Sequence, residues 1–216
     1  MKSTRIAFRV WLVLSLFVGA LFAESKVPSF NDGALAQGKY STMHMLLEKT
    51  VLKVDVLTVD VRVGKKAHAG LSKLATGNQY SEALGNQLAP IAIKAENAVV
   101  QLTFKRSVPL NTWIGEVRKN LQQAKDAGLI TAALQQKVSN GLPEWFAVIQ
   151  DRGYKEGDRL LYRVYPDKLI TAVVSKEGLP LMYRTDSGKE ARSVVMASYY
   201  APKSDFRELL LQSLFK

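Results

Sequence analysis

The run TVLKVDVLTVDVRV, Thr50 to Val63, constrains this chain most, because it alternates like a β-strand yet changes phase part-way. Leu52, Val54 and Val56 alternate with Lys53 and Asp55, but from Leu57 onward Val59, Val61 and Val63 carry the apolar role. Successive side chains of a strand point to opposite faces, so one buried face cannot serve both phases unless a residue is extra. A β-bulge near Val56–Leu57 is therefore expected. It would put Leu52, Val54, Val59 and Val61 on one face and Lys53, Asp55, Thr58, Asp60 and Arg62 on the other.

Other segments supply partners for that strand. AVVQLTFK, from Ala98, is a second strand with Val100, Leu102 and Phe104 on one side. GDRLLYRVY, KLITAVV and LPLMYRT form a meander joined by short turns, which favours antiparallel hairpins. Two short helices precede the second strand, the later one interrupted by Pro90. PLNTWIGEVRKNLQQAKDAG is a helix with the stripe Leu110, Trp113, Ile114, Val117 and Leu121, stopped by Gly128. A further helical region breaks at Gly141–Pro143, and two helices close the chain, the first with Ser187 and Glu190 at capping-box spacing. The order predicts an α+β domain, a largely antiparallel β-sheet covered by a layer of helices.

The first 23 residues read differently. Lys2, Arg5 and Arg9 precede the uncharged Val10–Ala23, too short for a spanning helix of about 20 residues. A basic start, a short apolar core and small residues at its end fit a secretory signal peptide, giving a periplasmic or secreted protein with no integral span in its mature form. Residues 24–45 read as a linker, and the folded domain as 46–216. Without residues 1–23 the chain keeps 27 basic against 19 acidic residues, a surplus of 8. The basic residues are scattered with no interleaved aromatics, so nucleic acid is not an expected partner. No cysteine is present, and His44 and His68, the only histidines, have no metal-site spacing. Nucleotide-binding loops and serine-nucleophile elbows are also missing, so no cofactor is expected.

TVLKVDVLTVDV, LTFKRSVPLNTWIGEVRKNL, KEGDRLLYRVYPD and SYYAPKSDFRELLLQSLF, in that order, make residues 46–216 resemble the bacterial chalcone isomerase-like proteins. The resemblance implies the chalcone isomerase fold, with a ligand cleft between sheet and helices. That family includes enzymes that add a phenolate to an enone within one molecule, and plastid proteins that hold fatty acids. The enzymes place a threonine two residues after a lysine on the first strand, and an arginine twelve residues before that threonine. They add a tyrosine, and seven residues on an asparagine, on the helix after the second strand. Here Lys53 and Asn120 match, while Asp55, Met43 and Trp113 replace the threonine, arginine and tyrosine. Charge moving onto an enone oxygen needs fixed donors, and an aspartate would repel a phenolate nucleophile. Chalcone cyclisation is not expected.

Trp113 and Asn120 lie two helical turns apart and point the same way. The stripe alone makes Trp113 core and Asn120 a surface amide; the resemblance implies that both line the cleft. Lys53, Asp55 and Arg106 join them as candidate ligand contacts, Arg106 as a cation for a carboxylate. Arg163 and Tyr165, which alternate with Tyr162, could also edge a pocket, with sheet-surface packing the simpler account. The favoured reading is an exported non-catalytic protein holding a fatty acid or other hydrophobic small molecule. An isomerase or intramolecular lyase using Asp55 or Asp60 as base is the alternative, and a ligand-free structural envelope protein the third. N-terminal sequencing of the exported product is expected to start at Glu24 or Leu21; a product starting at Met1 would contradict the processed reading.

Overall fold

A computed structural model of the protein describes residues 27–30, 35, 38–49 and 54–216. The proposed signal segment, Leu52 and Lys53 lie outside the described residues. Six strands form one antiparallel sheet in chain order: β1 (Ser41–Lys49), β2 (Val54–Val63), β3 (Ala98–Phe104), β4 (Arg159–Val164), β5 (Lys168–Val174) and β6 (Pro180–Ser187). Between and after them come the helices α1 (Lys65–Ala75), α2 (Glu82–Ile93), α3 (Leu110–Asp126), α4 (Ala132–Trp145), α5 (Lys189–Tyr200) and α6 (Arg207–Gln212). The expected α+β class, helices on a largely antiparallel sheet, is the architecture found.

The phase change in β2 is a bulge. Leu47 pairs with Leu57 and Glu48 with Asp55, leaving Val56 as the extra residue. Beyond it Leu57, Val59, Val61 and Val63 are all buried in the core, while Thr58, Asp60 and Arg62 face away. A second shift in β6, where Val173 pairs with Met182 but Val174 with Pro180, leaves Leu181 as the extra residue.

Several boundaries differ from the sequence reading. Strand β1 begins at Ser41, so Met43 and Met45 are core residues rather than the end of a linker. Its register sets Met43 against Val61 and Met45 against Val59, and Tyr200 donates its hydroxyl to Met43 Sδ at 3.2 Å. Phe30 and Tyr40 stack on the Arg62 guanidinium on the sheet's other face, so part of the expected linker is docked. Helices α2 and α4 continue through Pro90 and Pro143, because each proline sits in the last turn, where it removes little more than one backbone bond. The N-cap of α5 is Gly188 with no side-chain cap, so Ser187 and Glu190 do not form the expected box. Gly128 follows the end of α3 with φ of +69°, a left-handed position that favours glycine.

One large core lies between the helix layer and the sheet face carrying Val59, Val61, Val100, Leu102, Leu160 and Val173. Replacing Val61 by Asn would bury an amide without partners at a fully enclosed site, whereas Thr58, partly exposed on the other face, tolerates the same change. Val61→Asn is expected to prevent cooperative urea unfolding at 25 °C, and Thr58→Asn to shift stability by less than about 0.5 kcal/mol. Equal effects would contradict the assigned phase.

Candidate functional site: a cavity between sheet and helices

Strand register fixes what the sheet presents to the helices. Val100, Tyr162, Thr171 and Arg184 are successive cross-strand partners on β3 to β6, all on the core side. They cross the sheet under α3, α4 and α5. There the packing leaves a cavity of about 470 Å³, within the range of small-molecule sites. Leu57, Leu102, Phe104, Leu121, Leu142 and Val195 are among its apolar walls. The bulge places both Val56 and Leu57 on its lining.

Trp113 is 5% exposed and lines the cavity while packing on Phe146 at 4.6 Å and on Tyr154 at 5.4 Å between ring centres. Tyr154 in turn stacks on Phe104 at 4.0 Å, behind the three rings of Phe104, Trp113 and Phe146 that line the space. Asn120, 8% exposed, lies on the same side of α3, lines the cavity, and has no side-chain hydrogen bond among the described residues. Both the core reading and the cleft reading of Trp113 hold at once, while Asn120 is buried, not a surface amide. Arg106 lines the cavity from the exposed turn after β3.

Asp55 is exposed and does not line the cavity. Asp60 lies on the opposite sheet face, where one carboxylate oxygen sits 2.7 Å from His44 Nδ1. Neither aspartate is placed to act as a base on a molecule in the cavity. Arg163 is also on the far face, fully buried, donating to the Val164 and Ala98 carbonyls and lying over the Tyr165 ring at 4.1 Å.

The polar residues that sequence reasoning missed are Tyr162, Thr171, Arg184, Asp186 and Tyr199. Thr171 is 5% exposed and Tyr199 7%, and neither these two hydroxyls nor that of Tyr162 has a hydrogen-bond partner among the described residues. Burial raises the Tyr162 phenol above its ordinary pKa. The same cause raises Tyr199 well above it, with Tyr162 and Tyr200 as smaller contributions. Both phenols therefore stay protonated at neutral pH.

Arg184 holds Asp186, two residues along on the same side of β6, through Nε–Oδ2 at 2.8 Å and Nη2–Oδ1 at 2.5 Å. Its guanidinium lies 4.1 Å from the Trp145 ring centre. That arrangement depends on Gly141, since a Cβ there would come within 2.3 Å of the Trp145 ring. Among the described residues no His, Asp and Glu side chains group as metal ligands, and no helix is long and apolar enough to cross a membrane.

The same architecture occurs in a solved structure, the fatty-acid binding protein AtFAP1 of Arabidopsis thaliana. The match has a TM-score of 0.50 and covers 82% of this chain and 86% of that one, at 11% sequence identity. The chain has the chalcone isomerase-like fold. No protein-family model matches the sequence, and no curated protein matches it. Within the chalcone isomerase-like fold, the sequence places the helix and loop side of the cleft, through Arg106, Trp113 and Asn120. The structure adds the sheet side.

Tyr154 is fully buried with its hydroxyl unpartnered among the described residues. Removing that oxygen relieves an unmet desolvation cost, so Tyr154→Phe is expected to raise stability by about 1 kcal/mol, read as a higher urea midpoint. A lower midpoint would contradict the unpartnered state.

Proposed function

We propose that this protein is an exported, non-catalytic member of the bacterial chalcone isomerase-like proteins that holds a hydrophobic small molecule, with fatty acids as the first class to test. The observation that carries this reading is the cavity of about 470 Å³ between sheet and helices, apolar along most of its walls with unpartnered hydroxyls inside it. A ligand filling a space of that size would pack against its walls, and a few placed polar groups would orient it. The fold shared with a protein named for fatty-acid binding supports the choice of ligand class. Reaction chemistry has less support, because Asp55 and Asp60 lie outside the cavity and Met43, at the position matched to the enzymes' arginine, is buried under Tyr200.

Trp113 and Trp145 both line the cavity and report on its contents. Titration with 12-bromododecanoic acid at pH 5.5 is expected to quench tryptophan emission saturably, at one molecule per chain. Ala191→Trp places a large ring in the space from α5 and is expected to abolish the quenching while leaving the melting temperature within a few degrees. Absence of saturable quenching, or quenching unchanged in Ala191→Trp, would contradict binding in this cavity.

A further inference from the structure

The charges lining the cavity hold no positive excess to draw in a carboxylate anion. Three cations line it, Arg106, Lys137 and Arg184, against four carboxylates, Glu116, Asp186, Glu190 and Asp205. Of these, Arg184 is already bound in a two-point pair by Asp186, and Asp205 is bound by Lys119 at 3.0 Å. A chain with a formal surplus of 11 positive charges thus offers its cavity no excess of cations. A carboxylate drawn to Arg184 would meet Asp186 on the same guanidinium, and like charges at one site disfavour ionisation of the newcomer.

The hydroxyls inside tell the complementary story. Tyr162 and Thr171 are directly opposite on β4 and β5, which puts their Cβ atoms about 5 Å apart on the same face. Tyr199 approaches from α5, and the phenols of Tyr162 and Tyr199 are near enough to interact electrostatically. Three hydroxyls from three elements therefore border one space, all unpartnered among the described residues, with Thr171 and Tyr199 more than nine-tenths buried. Each can donate to an oxygen, and none brings a charge that would balance an anion.

We propose that the cavity binds its ligand through an uncharged oxygen, in a ketone, ester, alcohol or protonated carboxyl, held by the hydroxyls of Tyr162, Thr171 and Tyr199, and discriminates against the carboxylate anion. The proposal rests on the ligand-binding reading above and names the head group that reading leaves open. A free fatty acid would then bind in its protonated form. Because only that fraction is competent, its apparent affinity weakens about tenfold per pH unit above the acid's own pKa.

The test compares dodecanoic acid with methyl dodecanoate by tryptophan fluorescence between pH 5.5 and 8. The expected result is a dissociation constant for the acid that rises about tenfold per pH unit from pH 6 to 8, while that of the ester stays constant. At pH 7.5 the ester should bind at least ten times more tightly than the acid. Tyr162→Phe and Thr171→Val should each weaken the ester by about five- to tenfold. Circular dichroism and melting temperature, unchanged in the two hydroxyl variants, separate lost contacts from lost folding. Acid affinity that is flat with pH and exceeds that of the ester, or that collapses in Arg184→Gln, overturns the proposal and leaves the ligand-binding reading standing. Failure of both probes to bind overturns that reading, and the proposal with it.

Discussion

The two-residue period of the strands, kept in register across all six, is the constraint on which the rest of this molecule depends. One face of the sheet is buried under helices, so a slip of one residue would turn a whole set of apolar side chains outward. Register holds from the Leu57–Phe104 pair to the Leu169–Asp186 pair, and the two places where the sequence would break it are absorbed as bulges at Val56 and Leu181. The Leu181 bulge lies on the edge strand β6, where an extra residue disturbs one ladder instead of two, and the Val56 bulge lies near the start of β2, against the edge strand β1.

The same register decides the chemistry. In a face otherwise mostly apolar, it sets Tyr162, Thr171 and Arg184 side by side at one level. Phe104, Trp113 and Phe146 line the space between sheet and helices, with Tyr154 packed against Phe104 and Trp113. Gly141 lets Trp145 lie against its own helix and meet Arg184. The result is a largely apolar chamber with hydroxyls and an amide on its walls, where Arg184 is paired with Asp186 and Asp205 with Lys119. The phenols are protonated at neutral pH as any ordinary tyrosine is, and burial raises their pKa further, so they remain donors.

What could be read in the sequence follows from which interactions are local. The bulge at Val56, the apolar stripe of α3 and the stop at Gly128 are written in neighbouring residues, and all three occur as expected. Strand β1 was hidden because its alternation runs into the adjacent Leu46 and Leu47 and follows a stretch of turn formers. The helix breaks expected at Pro90 and Gly141–Pro143 fail because a proline in a last turn costs little that packing cannot offset. Arg106 was accessible from its place at a strand end, Trp113 and Asn120 through the family resemblance and not the helical stripe, and all three line the cavity. Asp55, chosen by its place on the strand, is exposed and lines nothing. Tyr162, Thr171 and Arg184 come from three strands, and only the pairing that joins them reveals that they share a level. No local pattern carries that information.

Native mass spectrometry of the protein purified from the cells that make it shows whether the space under α3, α4 and α5 holds an apolar molecule. The account predicts a single apolar adduct at near-stoichiometric occupancy, released by organic solvent and missing from the Ala191→Trp variant. A protein that carries no adduct and takes up no apolar compound when offered one would contradict it.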